Sequence, residues 1–234
     1  MIYCVSDIHG DFSKYKKLLQ KIEFSANDML YIVGDVVDRG RHASSILLDM
    51  MQHDNIIPLI GNHDFLAALC LRKLTKEITN ESIDDLDTNT LEVIFEWLND
   101  GGEATLKDFF RRSPQEKEAI LDYLNDFESY AEVQAGGKDF ILSHAGLGNF
   151  LPEKRLEDYT LADLAFSRTD YSKQLFQDKF IVTGHTPTGL IPGNPNPGYI
   201  YRANNYIAID CGCGFGGRLG AICLDTGEEF YIEY

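Results

Sequence analysis

The chain has 234 residues, 44% of them hydrophobic, so it is long enough for one large folded domain or two small ones. Its 37 acidic and 21 basic residues give a formal net charge of −16, which disfavours sequence-independent binding to nucleic acid or to an anionic membrane. No apolar run approaches the ~20 residues that span a bilayer. We therefore expect no nucleic-acid partner and no membrane association.

The five cysteines are odd in number and scattered along the chain, which indicates reduced thiols. Cys211 and Cys213 lack a second pair at zinc-ribbon spacing, so buried thiols are favoured over a metal site there. The chain opens directly on a strand pattern at residues 2–5, so we expect no signal peptide and a cytoplasmic location.

Strand and helix patterns alternate over the first quarter of the chain. Apolar runs at residues 2–5, 29–33 and 56–60 predict three strands, and amphipathic patterns at 11–21 and 43–51 predict two helices between them. This alternation is typical of a mostly parallel α/β unit with right-handed connections.

The middle of the chain is helical and acidic in pattern. Residues 65–127 predict a mostly helical cap over an active site, where substrate preference would be set. Within it, residues 76–90 hold several acids and few large apolar side chains, which predicts a solvated loop or helix edge. The segment 97–102 ends in Gly101-Gly102, a signal for a helix end and a turn.

After Glu128 the pattern becomes β-rich. Two short runs around Gly136-Gly137 predict a hairpin, and residues 156–176 predict a mostly helical segment. The expected strands are residues 130–134, 140–142 and 180–182, followed by antiparallel strands at 206–209, 219–224 and 230–234. No linker interrupts the pattern, so we expect a single domain over residues 1–234.

Metal-ligand side chains follow five of the apolar runs, at the ends of strands where open α/β sheets place their ligand sites. The five segments are Ser6-Asp7-Ile8-His9-Gly10, Val33-Gly34-Asp35-Val36-Val37-Asp38-Arg39-Gly40, Ile60-Gly61-Asn62-His63-Asp64, Ser143-His144-Ala145-Gly146 and Thr183-Gly184-His185-Thr186-Pro187.

These segments supply six candidate metal ligands: Asp7, His9, Asp35, Asn62, His144 and His185. All are oxygen or imidazole donors, and this mixture favours a transition metal such as Mn, Fe or Zn over Mg. Six ligands are too many for one ion with an open position and suit two ions that share a bridge. Two divalent ions carry more charge than two carboxylates and a bridging hydroxide, so a positive charge remains for a phosphate.

The five segments resemble the signature of calcineurin-like metallophosphoesterases. The continuation Asp38-Arg39-Gly40 is similar to the serine/threonine phosphoprotein phosphatase branch, particularly its compact phage and bacterial members, and so are residues 97–102, 166–168 and 209–217. The resemblance implies an α/β (α+β) fold, namely a metallophosphatase-type two-sheet β-sandwich flanked by α-helices with metals at the strand ends.

The resemblance also implies two divalent metal ions, with Mn expected and Fe or Zn as alternatives. Asp7 and His9 would hold one ion, Asp35 would bridge, and the second ion would be held by Asn62, His144 and His185.

Further roles follow from the same resemblance. His63 would be the general acid, oriented by Asp38, and Arg39 and Arg168 would bind the phosphate oxygens. Arg168 rests on a short match, and a helix-surface ion pair is its alternative. Asp64 is often Glu in the family, and an alternative role for it is only to interact with the positive end of the helix that follows it.

The sequence leaves several functions open. The first is a serine/threonine-type protein phosphatase, a phosphomonoesterase that uses metal-activated water on a phosphorylated protein, a peptide or another small phosphoester. The alternative is a symmetrical bis(5'-nucleosyl)-tetraphosphatase, which the absence of a conspicuously basic middle block disfavours. A nucleic-acid phosphatase is disfavoured by the charge, and a silent binding fold by the complete ligand set.

One position departs from the phosphoprotein phosphatase pattern. Ile60 stands where that branch usually carries an arginine, and this loss of positive charge weakens the assignment of a phosphoprotein substrate. Preference for serine, threonine or tyrosine phosphate stays open. We expect a monomer, although the sequence does not decide the oligomeric state.

Overall fold

The computed structural model of the chain describes residues 1–75 and 87–233, and within them ten strands form two sheets of five. The first sheet contains β1 (Ile2–Val5), β2 (Met29–Val33), β3 (Ile56–Leu59), β9 (Leu219–Cys223) and β10 (Glu229–Ile232), in the order β10-β9-β1-β2-β3. Strands β1, β2 and β3 are parallel, whereas β9 runs antiparallel to β1 and β10. The predicted parallel α/β unit is therefore confirmed.

The second sheet contains β4 (Ala131–Ala135), β5 (Lys138–Leu142), β6 (Lys179–Thr183), β7 (Tyr201–Ala203) and β8 (Tyr206–Ala208), in the order β4-β5-β6-β8-β7. The predicted hairpin between β4 and β5 is present, and both Gly136 and Gly137 have the positive φ that its turn requires. Strands β5, β6 and β8 are parallel to one another.

An apolar core fills the space between the two sheets. It joins Cys4, Val33 and Leu59 of the first sheet to Leu142, Val182 and Ile207 of the second. The other face of the first sheet is also buried, under the helices. Because both faces are covered, the runs of β1 to β3 are apolar throughout instead of alternating. The predicted two-sheet β-sandwich flanked by α-helices is confirmed.

Six helices lie in the described residues: α1 (Phe12–Lys21), α2 (Ala43–Met50), α3 (Asn62–Thr75), α4 (Thr88–Trp97), α5 (Glu103–Phe110) and α6 (Pro114–Asn125). Helix α1 begins where the Asp11 carboxylate accepts the amide of Lys14, and α6 begins with a capping box between Ser113 and Glu116. No helix among these residues is both long and apolar enough to cross a membrane.

Two predictions about the second half of the chain were wrong. Residues 156–176 are not mostly helical, since they hold only the short turns Leu156–Asp158 and Ala162–Phe166. Asp163 accepts hydrogen bonds from Thr160 and Asn149, and Ser167 donates to the carbonyl of Asp163. Such side-chain bonds compete with a helix.

The second wrong prediction concerns β8, which was expected in an antiparallel set with the last two strands. It lies in the other sheet, parallel to β6, and its antiparallel neighbour is the unpredicted β7. The predicted loop at 76–90 falls outside the described residues up to position 86. At its end, Asp87 accepts the amide of Thr90 and caps α4.

Candidate metal and catalytic site

The five motifs meet at one edge of the sandwich because each follows the carboxyl end of a parallel strand. The first sheet contributes Asp7 after β1, Asp35 after β2 and Asn62 after β3. The second sheet contributes His144 after β5 and His185 after β6. The site therefore joins both halves of the sandwich.

Two groups of metal-ligand atoms share Asp35. One group is His9, Asp35 and His63, the other is Asp35, His144 and His185, and within each group the ligand atoms lie within 4.8 Å of one another. The Asp35 carboxylate is 3.3 Å from Nε2 of His144 and 3.7 Å from Nε2 of His9. This position between two clusters suits a bridging ligand.

Asn62 and Asp7 complete the surroundings of the second group. Oδ1 of Asn62 lies 3.1 Å from Nε2 of His144 and 2.9 Å from Nδ1 of His185. The Asp7 carboxylate accepts the backbone amide of His185 at 3.0 Å. Asp7 thus lies beside the second group, although its carboxylate belongs to neither group of ligand atoms.

The histidine rings are oriented as metal ligands usually are. Nδ1 of His9 donates to the carbonyl of Val37 at 2.8 Å, and Nδ1 of His144 donates to the carbonyl of Val33 at 2.9 Å. Each bond leaves Nε2 of its ring, on the side of Asp35, as the atom available to a metal. A backbone carbonyl on the outer nitrogen is the usual partner of a metal-bound histidine. Buried Nε2 of His185 has no hydrogen-bond partner. The residues fit a metal pair.

The electrostatics of the cluster agree with this assignment. Burial raises the pKa of Asp7 to about 6 and, with the nearby Asp35 charge, the pKa of Asp64 to about 7. Burial opposes the charge of His144, but the Asp35 carboxylate outweighs it and raises the pKa of His144 to about 10. So much buried negative charge needs cationic partners, and divalent ions would supply them.

Backbone strain is concentrated at this site. Ten described residues other than glycine have a positive φ, and six of them are Asp7, His9, Asp35, Asp38, Arg39 and His185. A left-handed backbone costs a non-glycine residue about 1–3 kcal/mol and persists where the surroundings impose it, often at functional sites.

The carboxylates also lie directly against the backbone. A Cβ atom at Gly61 would lie 2.1 Å from Oδ1 of Asp35, and one at Gly184 would lie 2.2 Å from Oδ2 of Asp7. Each motif therefore needs a glycine immediately before its ligand, Asn62 in one case and His185 in the other.

A buried histidine–aspartate pair lies next to the first group. Nδ1 of His63 is 2.8 Å from Oδ2 of Asp38, and Asp38 also accepts bonds from Trp97 at 3.0 Å and from Thr105 at 2.7 Å. Burial favours a neutral imidazole, but the bond to Asp38 and the charge of Asp35 outweigh it, so the pKa of His63 is raised.

The Arg39 guanidinium lies between the two histidines of the first group. It contacts Nε2 of His9 at 2.7 Å and Nε2 of His63 at 2.9 Å, and it stacks 4.3 Å above the ring of Phe215. Asp100, after α4, lies 3.6 Å from Nε2 of His63 and 3.5 Å from Arg39. The structure therefore brings the predicted acid and one predicted phosphate-binding arginine together.

The second predicted arginine is more peripheral. Arg168 is exposed, and its guanidinium lies 3.5 Å from Oγ1 of Thr186, next to His185. Its charge contributes to lowering the pKa of His185, although burial is the larger cause. It forms no ion pair with any described residue, which disfavours the surface ion pair as its role.

Asp64 does more than its position at a helix start indicates. Its carboxylate accepts the backbone amides of Asp35 at 2.7 Å, Val36 at 2.9 Å, Val37 at 3.2 Å and Gly61 at 3.1 Å. It thereby ties the loop after β2 to the loop after β3. Sequence reasoning missed this role, as it missed the contact of Thr105 with Asp38, because both contacts join residues far apart in the chain.

The comparisons with known proteins agree with this geometry. A family model for the calcineurin-like phosphoesterases matches residues 1–209. The chain belongs to the calcineurin-like phosphoesterase family. This membership confirms a metal-dependent phosphoester hydrolase at the level of the family.

The individual relatives share about a third or less of their residues with this chain. The symmetrical bis(5'-nucleosyl)-tetraphosphatase of Acidovorax ebreus is 31% identical over 166 residues, which cover 69% of this chain and 48% of that protein. The chain thus spans about half the length of this curated relative. A proposed diadenosine tetraphosphatase superposes over all of this chain and 93% of its own, with a TM-score of 0.66 and 18% identity.

A yeast serine/threonine phosphatase has the same fold. The Saccharomyces cerevisiae protein has a TM-score of 0.59 at 12% identity and covers the whole of this chain, with 79% of its own chain matched. At such low identity the likeness concerns the fold alone.

Proposed function

We propose that the chain is a dinuclear metal-dependent hydrolase that cleaves dinucleoside tetraphosphates symmetrically. The observation that carries the phosphoester chemistry is the place of Asp35 in both groups of ligand atoms, beside the His63–Asp38 pair and Arg39. The substrate is the one in the name of the Acidovorax ebreus relative. The curated relatives support it better than the serine/threonine protein phosphatase that the sequence favoured.

The cations for a polyphosphate would come from the loop after β2. Arg39 and Arg41 line an open cleft of about 350 Å³ next to His9 and Gly214. The acidic middle block, which directed the sequence analysis towards a monoesterase, contributes none of the described residues that line this cleft.

We propose the same metal ligands that the sequence predicted. Asp7 and His9 would hold one ion, Asp35 both, and Asn62, His144 and His185 the second. When bound, the two ions lower the pKa of water between them and neutralise charge on the phosphate.

The remaining groups act on the reacting phosphate directly. Hydrolysis joins a water oxygen to phosphorus and breaks the bond between phosphorus and the bridging oxygen of the leaving nucleoside diphosphate. Asp38 fixes Nδ1 of His63, so Nε2 of that ring is the atom that can give a proton to the leaving oxygen. Arg39 and Arg168 would bind the non-bridging oxygens, for which a guanidinium is well shaped.

The test measures two substrates in parallel. Chelator-stripped protein, with and without added Mn, is given diadenosine tetraphosphate and a phosphoserine peptide, and the nucleotide products are separated. We expect Mn-dependent conversion of the dinucleotide to adenosine diphosphate alone, faster than phosphate release from the peptide. Faster turnover of the peptide, or products of unequal length, would overturn the proposal.

A matched pair of variants links the activity to the site. Asp35→Asn removes the shared carboxylate and should abolish turnover and weaken metal binding at both positions. Asp54→Asn removes an exposed carboxylate that contacts none of the ligands and should behave as the unaltered protein. Full activity and full metal content in Asp35→Asn would contradict the bridging role.

A further inference from the structure

An apolar groove of about 300 Å³ lies along α3, the helix that begins at Asn62. Its apolar lining includes Ile60, Phe65, Leu69, Phe127 and Leu161. Ile60 lies two residues before Asn62 in the chain. Phe65 lies one turn after Asn62 on α3, and residues three apart share a helix face. The groove therefore begins within one helical turn of Asn62.

One lining residue, Phe65, belongs to a pair of partly exposed aromatic rings. Phe65 and Phe166 meet edge to face, with centroids 5.9 Å apart and an angle of 86° between the rings. They are 37% and 39% exposed, so each ring has surface that a ligand can contact. Phe166 precedes Arg168 by two residues, and the guanidinium of Arg168 reaches Thr186 beside His185. A flat apolar surface thus adjoins a cation suited to phosphate.

The charge of the groove limits its occupant. In a chain of net charge −16, none of the described residues that line the groove is acidic, and Arg72 is its one charged member. The volume lies at the lower end of the about 300–1,000 Å³ usual for small-molecule sites. Such a groove suits one ring system attached to an anionic chain.

Building on the proposed function, we infer that this groove receives one nucleobase of the dinucleoside tetraphosphate, stacked on Phe65. The phosphate chain would then run from the groove over Arg168 towards His63 and Arg39. Ile60, which is 7% exposed, gives the groove an apolar floor. Phosphoprotein phosphatases usually carry an arginine at this position, which would place a charge in the groove. A base site would therefore explain why this chain has Ile60 there.

The test separates base recognition from phosphate recognition. Phe65→Leu and Phe166→Leu keep apolar volume but remove a flat ring, and Phe110→Leu is the matched control, because its exposed ring contacts Phe109 and Lys117 instead. For diadenosine tetraphosphate we expect the first two variants to raise KM about 3- to 10-fold with kcat unchanged. The inhibition constant of adenosine diphosphate should rise by the same factor, and that of pyrophosphate should not change.

The outcomes distinguish the two proposals. If the dinucleotide is cleaved but adenosine diphosphate and pyrophosphate inhibit every variant equally well, no base is bound by the pair and the inference fails. A raised KM for the phosphoserine peptide alone would assign the groove to a peptide side chain and also overturn it. If the dinucleotide is not cleaved at all, the proposed function fails, while a loss of adenosine diphosphate inhibition of peptide turnover, confined to Phe65→Leu and Phe166→Leu, would still support a base site.

Discussion

The histidines of the site differ in the partner of one ring nitrogen. In His9 and His144 that partner is a neutral backbone carbonyl, which fixes an N–H on Nδ1 and leaves Nε2 as the atom available to a metal. In His63 the partner is the Asp38 carboxylate, which favours the charged ring and raises its pKa. The carbonyl partners of His9 and His144 thus suit a ligand role, and the carboxylate partner of His63 suits a proton donor.

The acid role predicts an effect of His63→Asn that depends on the leaving group. A serine alkoxide is a strong base and needs a proton, so peptide turnover should fall by about 10²–10⁴-fold. A nucleoside diphosphate leaves as a stable anion, because the second pKa of a phosphate is about 6, so dinucleotide turnover should fall less. Rates on both substrates and the metal content of the purified variant provide the measurement.

Metal content separates this role from a ligand role for His63. We expect His63→Asn to bind nearly as much metal as the unaltered protein, because His63 is not one of the six proposed ligands and all six remain in the variant. A variant that loses its metal, or slows equally on both substrates, would mean that the ring does not act as a general acid.

At the scale of elements, one carboxylate joins two loops. Asp64, in the first turn of α3, accepts amides from the loop after β2 and from Gly61 after β3. The loop so held carries Asp35, whose φ of 56° is unfavourable for a residue with a side chain. Asp64 therefore helps to maintain the strained conformation that places Asp35 between the two clusters.

Asp64→Asn should be costly although it is isosteric. Both carboxylate oxygens accept two amides, and an Asn side chain would turn a donor towards one of these pairs. Leaving a buried donor unpaired costs about 1–3 kcal/mol, so the free energy of unfolding should fall by about 2 kcal/mol or more. Denaturant unfolding and metal titration measure the effect.

Asp11→Asn is the control for the charge change. Asp11 caps α1 through one amide, that of Lys14, and Asn caps helices about as well as Asp. It should therefore leave both stability and metal affinity nearly unchanged. Equal losses in the two variants would show that Asp64 is no more than a helix cap.

The elements also show which features could be predicted from the sequence. The strands were predictable because buried parallel strands are short apolar runs, and the residues proposed as ligands stand at their ends. The irregular path around Asp163 was not, because Leu156 and Leu164 have helical spacing and the bonds that prevent a helix are tertiary. The role of Asp64 was hidden for a similar reason, since its partner Val36 is 28 residues away.

At the scale of the whole molecule, the candidate metal centre links the two sheets. Asp7, Asp35 and Asn62 follow strands of the first sheet, whereas His144 and His185 follow strands of the second. The apolar core between the sheets already holds them together. Metal ions bound by both sets would add a second link at the edge of the sandwich, where charged groups lie close together.

This link predicts that metal stabilises the fold as a unit. A ligand that binds only the folded state at 100 times its Kd adds about 2.7 kcal/mol, and 1 kcal/mol raises the Tm of a chain of this size by about 2–4 °C. Excess Mn should therefore raise the Tm of chelator-stripped protein by about 5–10 °C. His144→Ala should lose most of that shift, because His185 would then be the one proposed ligand left from the second sheet. His53→Ala, whose ring lies near Phe24 and Asp49, should keep it, and an equal shift in both variants would place the stabilising metal elsewhere.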